Sequence, residues 1–195
     1  MACMTILSIV HTKGGVGKTT TAMYLATVAA ERGTDVVVID ADPQRSAAVW
    51  AEQAKERGSG LPFDVVEAPG QRDWEKQLVI VDTPPGTSRQ IQEAIDVADL
   101  ALIPCGASPI DVERVWPTLD LAVRQCPAIV LLTQVDLRAK LGERVRKLLR
   151  DESVPVLNTL VPQRQSIRKS FGRLPGDRGA YADVLTELEG VFHSV

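Results

Sequence analysis

An α/β fold, with a mostly parallel twisted sheet flanked by helices on both faces, is predicted by three features of this chain. Strand-length runs recur at 6–10, 36–39, 78–81, 100–103 and 131–136, most of them wholly apolar, as strands buried on both faces of a parallel sheet require. Helix-length segments separate them at 17–33, 44–57, 87–97, 109–125, 139–150 and 178–192, and alternation of this kind places helices on both sides of one sheet. Two of the runs end in aspartates, at the strand ends where open α/β sheets collect ligands. With 195 residues and 45% hydrophobic content, one domain spanning 1–195 with a real core is expected. Gly58-Ser59-Gly60 is a short turn, and no repeat or low-complexity tract interrupts the chain.

The first run leads into Lys13-Gly14-Gly15-Val16-Gly17-Lys18-Thr19-Thr20, followed by Ala22-Met23-Tyr24-Leu25-Ala26. A strand, a Gly-rich loop and a helix start, in that order, are the context that confirms a phosphate-binding P-loop. The glycines let the backbone close on a polyphosphate with its N–H groups turned inward, and the helix start adds its dipole. Lys18 can reach the β- and γ-phosphates, and the Thr19 hydroxyl can ligate Mg²⁺. Residues Lys13, Gly14, Gly15, Val16, Gly17, Lys18, Thr19 and Thr20 are therefore expected to bind a nucleoside triphosphate.

The second run ends in Asp40-Ala41-Asp42-Pro43, and the third in Asp82-Thr83-Pro84-Pro85-Gly86. Carboxylates at such strand ends can hold Mg²⁺ directly or through water, and can orient an attacking water. One aspartate after a strand is an ordinary turn residue. Three of them at two strand ends, downstream of a P-loop, point to phosphate chemistry.

The loop departs from the common P-loop in one respect. Thr12 stands where the common form has glycine, and a second lysine, Lys13, opens the loop. This deviant form, lysine-Gly-Gly-x-Gly-Lys-Thr, resembles the ParA/MinD family of ATPases. Ala98-Asp99-Leu100-Ala101-Leu102-Ile103-Pro104 is similar to that family's aspartate, apolar strand and proline, and Ser108-Pro109-Ile110-Asp111 to the turn that follows. Gln134 stands where the family has a base-proximal polar residue, often asparagine, and Val161-Pro162-Gln163-Arg164 resembles the late turn that packs against adenine. The likeness covers nearly the whole chain, with its strongest motifs before residue 105. The stretch between Gln44 and Gln77 is shorter than the family leads one to expect, which predicts a missing peripheral element.

The resemblance implies a P-loop ATPase with weak intrinsic activity, using ATP and Mg²⁺. It implies that Lys13 reaches across a nucleotide-sandwich homodimer to the phosphates bound by the other subunit, with the logic of an arginine finger. By position in the motifs, Lys13, Lys18 and Asp42 carry catalysis, with Asp42 orienting the hydrolytic water. Thr19 and Asp82 support the Mg²⁺ shell, with Asp40 behind them near the metal, and Gln134 and Pro162 contact adenine.

The net charge of −3 hides an asymmetry: residues 138–178 hold eleven Lys or Arg against four acids, a surplus of +7 that leaves −10 elsewhere. A basic region on an acidic protein suits phosphate backbones. Arg144, Lys147, Arg168, Lys169 and Arg173 would form one face if their two helices lie side by side, and the resemblance implies non-specific DNA binding through such residues in the ATP-bound dimer. Phe171 is the only aromatic residue of that segment, which argues against base stacking on single strands. No helix-turn-helix segment precedes the P-loop, which argues against sequence readout.

Cys3, Cys105 and Cys126 show no metal-ligand spacing, and their odd number gives no disulfide framework. His11 and His193 are isolated, and neither reads as catalytic. No run approaches the roughly 18 apolar residues of a membrane span, so a cytoplasmic protein is expected, and the resemblance implies that it associates with the nucleoid. The leading expectation is an ATPase that partitions plasmid or chromosomal DNA, stimulated by a ParB-like or other centromere- or cargo-bound adaptor. The alternative keeps the mechanism and changes the cargo to a protein body such as a microcompartment or receptor cluster. A MinD-like membrane-associated regulator is disfavoured, because the segment 184–195 is acidic and contains no Lys or Arg. A metabolic P-loop enzyme would need a second convergent substrate site, which the motifs do not supply.

Overall fold

The computed structural model describes residues 4–67, 76–86 and 88–192; Cys3 and His193 lie outside the described residues. Six strands, β1 (Thr5–Ile9), β2 (Val36–Asp40), β3 (Asp64–Glu67), β4 (Leu78–Asp82), β5 (Leu100–Gly106) and β6 (Ala128–Thr133), form one sheet in the order β3-β2-β4-β1-β5-β6. Every described pairing in it is parallel. The helices are α1 (Lys18–Glu31), α2 (Ser46–Glu56), α3 (Ser88–Ile95), α4 (Pro109–Glu113), α5 (Trp116–Ala122), α6 (Leu141–Asp151), α7 (Gln165–Arg168) and α8 (Gly179–Phe192). This is the α/β architecture that the alternating segments predict.

Successive strand residues point to opposite faces, and each face has its own core. Leu7, Ile9, Val38, Ile80 and Leu102 pack with Met23, Trp50 and Leu185, from α1, α2 and α8. Ala101, Ile103, Val130 and Leu132 pack on the other side with Ile91, Leu119 and Val145, from α3, α5 and α6. Two apolar faces per strand explain why the runs read as continuous rather than alternating. Truncating a fully buried position such as Leu102 to alanine costs about 2–5 kcal/mol on this kind of packing.

Three details differ from the sequence expectation. The segment 109–125 is two helices, because Pro117 sits in the first turn of α5, where a residue without an N–H can start a helix but not continue one. Ser108 opens the first of them, its hydroxyl accepting a 3.3 Å hydrogen bond from Asp111 N. The stretch after Gln44 holds α2 and the edge strand β3, whose exposed and half-buried residues give no all-apolar signal. The single turn α7 is too short to read from periodicity.

The order of strands sets the site. β1 lies between β4 and β5, so the loop after it emerges at the middle of the sheet. Asp82 stands level with Ile9 on one side and with Asp40 on the other.

Candidate nucleotide site

The loop at 12–17 is closed by side chains from elsewhere in the chain. Thr133 Oγ1 donates to the Val16 carbonyl at 2.8 Å, and Gln134 Nε2 donates to the Gly15 carbonyl at 2.7 Å. Lys18 Nζ donates to the Lys13 carbonyl at 3.2 Å. Gly17 caps α1 at φ +95°, in the region where only glycine is unstrained. With these loop carbonyls engaged by side chains, the first N–H groups of α1, which have no partner within the helix, are available to an anion. The ammonium of the buried Lys18 is pulled down in pKa by burial, and Asp82 and Asp42 oppose that shift.

The three aspartates divide into distinct environments. Asp82 is fully buried, and neither of its carboxylate oxygens has a hydrogen-bond partner. Burial raises its pKa to about 7, with Asp40 and Asp42 adding and with Thr19 and Lys18 opposing. Two orphaned acceptors near the Thr19 hydroxyl fit a divalent cation that would complete its shell with phosphate oxygens. Among the described residues no cluster of three His, Cys, Asp or Glu side chains could hold a metal unaided. Asp40 is a brace: Oδ1 accepts from Asp42 N at 3.1 Å and Oδ2 from Ala48 N, in α2, at 2.9 Å. Asp42 is only half-buried, and its Oδ1 accepts from Gln44 N at 2.9 Å.

Lys13 is held by its own chain, a contact that sequence reasoning missed. Its Nζ lies 2.6 Å from Asp111 Oδ1, and Asp111 Oδ2 accepts from the Ser108 hydroxyl at 2.5 Å. Burial works to raise the Asp111 pKa, but the Lys13 and Ser108 hydrogen bonds prevail and hold it below the usual carboxylate range. His11 Nδ1 accepts from Lys13 N at 2.9 Å. Burial, then the nearby Lys18 and Lys13 charges, lower the His11 pKa to about 4. Its imidazole is therefore neutral near pH 7, with the proton on a buried, unpartnered Nε2.

A cavity of about 290 Å³ opens beside the loop, lined among others by Gly17, Thr20, Gln134, Pro162, Trp50 and Phe171. The structure thus brings Gln134 and Pro162 together at the P-loop, as the motifs suggest. Trp50 and Phe171, with ring centroids 5.3 Å apart, add an aromatic wall that sequence spacing did not reveal. The basic residues are arranged differently from the side-by-side expectation. Arg144 and Lys147 lie on α6, which packs into the core of one sheet face through Val145 and Leu149. Arg168 lies on α7, whose Ile167 packs on the other core, and Arg168 itself lines the cavity. Lys147 is also paired with Asp151 at 2.9 Å.

A family model described as the CobQ/CobB/MinD/ParA nucleotide binding domain matches residues 7–174. The chain is 35% identical over 168 residues to the maintenance of carboxysome distribution protein A of Gloeobacter kilaueensis, covering 80% of this chain and 76% of that protein. It is 34% identical over 132 residues to the protein ParA of Rhizobium radiobacter, covering 65% of this chain and 60% of that one. A putative plasmid partition protein from Borrelia burgdorferi, solved bound to AMPPNP, shares the fold at a TM-score of 0.75 and 15% identity, covering 98% of this chain and 99% of that one. No helix among the described residues is long and apolar enough to cross a membrane.

Proposed function

This chain belongs to the CobQ/CobB/MinD/ParA nucleotide-binding family, and from that premise we propose that it is a ParA-type ATPase, using ATP and Mg²⁺, that positions DNA by nucleotide-dependent dimerisation. The observation that carries the reading is the contrast between two lysines of one loop. Lys18 is buried within the loop, whereas the Lys13 side chain is 47% exposed at its lip. One serves the nucleotide of its own subunit; the other is accessible to the nucleotide of a second copy.

In the proposed reaction the loop N–H groups and Lys18 bind the triphosphate, and Asp42 orients the attacking water. Thr19 and Asp82 are the residues that would hold Mg²⁺, which would supply charge neutralisation to the triphosphate. Lys13, released from Asp111, stabilises the developing charge in the other subunit's site. Gln134 and Pro162 seat the adenine. Turnover stays slow until an adaptor bound to a centromere or cargo orders the strand-end loops.

Arg144, Lys147, Arg168, Lys169 and Arg173 are proposed to contact DNA without sequence preference, on a nucleoid-associated, cytoplasmic dimer that doubles the charge each subunit offers. The test is binding to an arbitrary-sequence duplex with ATP–Mg²⁺, ADP or no nucleotide. Salt-sensitive binding with ATP alone is expected, and neutralising about six phosphates would give a log–log salt slope near −5. Absence of binding in every state refutes the DNA reading. A second reading, a protein body as cargo, is favoured by the 35% identity to a carboxysome distribution protein. It predicts the same DNA behaviour but stimulation by an adaptor that does not itself bind DNA.

A further inference from the structure

We infer that the nucleobase sets the rate of hydrolysis, and not only affinity, because α2 ties the aromatic wall of the cavity to the carboxylate that positions Asp42. This rests on the proposed ATPase reading. Asp40 is then a positioning residue, and Trp50 and Phe171 are specificity residues.

The connection can be followed atom by atom. At one end of α2, Ala48 N donates to Asp40 Oδ2 at 2.9 Å, while Asp40 Oδ1 accepts from Asp42 N at 3.1 Å. One carboxylate thereby fixes both the helix and the backbone of Asp42, the residue proposed to orient the attacking water. Two residues along the helix, Trp50 lines the cavity, and its Nε1 donates to the Arg173 carbonyl at 2.7 Å. At the other end, Arg57 Nη1 donates to the carbonyls of Phe171 at 3.1 Å and Gly172 at 2.9 Å. Residues 50, 53 and 57 lie on one face of the helix by their spacing, and all three meet the turn 171–173.

That turn is seated too closely to slide. Gly172 has φ +67°, and a Cβ added there would lie 2.8 Å from Gln53 Cβ and 2.9 Å from Arg57 Nη1. The helix and the turn therefore behave as one body, with Trp50 and Phe171 on the cavity side and Asp40 at the catalytic side. A two-ring base that stacks on the exposed Phe171, which the buried Trp50 backs at 5.3 Å, holds this body, and through Asp40 it holds Asp42, in register with the phosphates. A one-ring base fills less of the cavity and leaves the body free to shift. A displacement of about 1 Å at the water-orienting group costs on the order of 100-fold in rate.

The test compares saturating ATP and CTP, which share ribose and triphosphate, in the wild type, Asp40→Asn and Arg57→Ala. The wild type is expected to turn ATP over about tenfold faster than CTP. Asp40→Asn, whose amide cannot accept both N–H bonds, is expected to lower kcat for ATP about tenfold and for CTP less than twofold. Its affinity for ATP, read by displacement of a fluorescent ATP analogue, should stay within threefold. Arg57→Ala, which removes two of the hydrogen bonds between α2 and the turn without touching Asp40, should narrow the ATP/CTP ratio in the same direction. Equal fractional losses for the two nucleotides in both variants overturn the inference and leave the ATPase reading standing. No hydrolysis of ATP by the wild type, alone or with its adaptor, overturns that reading itself.

Discussion

Replacing Asp111 with asparagine removes the charge that holds Lys13 to its own chain while keeping a side chain of the same shape against Ser108. The Lys13–Asp111 pair is 2.6 Å long, with side chains 47% and 17% exposed. A pair so open to solvent is worth about 0.5–1 kcal/mol, well below the unscreened Coulomb energy. If each lysine must leave this carboxylate to enter the other subunit's site, a symmetric dimer breaks two such pairs, about 1–2 kcal/mol in all. At about 1.4 kcal/mol per factor of ten, Asp111→Asn should tighten the dimer roughly 5- to 30-fold. Sedimentation velocity with a non-hydrolysable ATP analogue measures it, and the gain should shrink toward 0.5 M salt as the pair is screened. A dimer weakened by the substitution would refute the reasoning, because Asp111 would then be presenting Lys13 rather than withholding it.

Other outcomes follow from the same site. Lys13→Ala should keep monomer nucleotide affinity within about threefold while abolishing ATP-dependent dimerisation and adaptor-stimulated hydrolysis; equal loss of binding and hydrolysis would exclude action on a second subunit. Asp42→Ala should trap the ATP dimer, since it removes the orientation of water and leaves Asp82 in place; failure to dimerise, seen by size-exclusion chromatography with ATP, would count against that division of roles. Burial pushes the Asp82 carboxyl up to about 7, from 3.8 for a free aspartate, so the folded state binds the extra proton between those values. Nucleotide-free stability should therefore fall as pH rises from about 4 to 7 and level off above, by at most about 4 kcal/mol, and Asp82→Asn should flatten that slope in thermal unfolding. Gly172→Ala, at φ +67° and against Gln53, should cost roughly 1–3 kcal/mol and lower Tm by roughly 3–10 °C.

The P-loop and the strand ends were legible because their chemistry is local. A loop lysine, a helix start and a carboxylate after an apolar run are each set by neighbours within a few positions. The six helical segments were legible for the same reason, except where Pro117 divides one of them. What stayed hidden depends on contacts between distant parts of the chain. Asp111 meets Lys13 across 98 positions, and nothing in Ser108-Pro109-Ile110-Asp111 marks which cation it faces. Trp50 reads as an ordinary apolar helix residue, and Phe171 as a lone aromatic in a basic segment; only packing across the sheet face pairs them. The basic residues were counted correctly by charge, yet their placement follows from which core each helix joins, through Val145 and Ile167. Edge strand β3 escaped notice because an edge need not be apolar.

The side chains that clasp the P-loop carbonyls have a kinetic consequence. Thr133, Gln134 and Lys18 hold the loop shut through Val16, Gly15 and Lys13, so its conformational entropy, about 1–2 kcal/mol for each residue fixed, is lost once, when the chain folds. A nucleotide arriving at a ready-made cradle meets no search among loop conformers, and its capture should run close to the encounter rate. The lifetime of each bound state then falls to the rate of departure and to the chemistry. For a molecule proposed to mark time between attachment and release, such a receptacle keeps reloading brief and leaves the interval itself to be set by its companions.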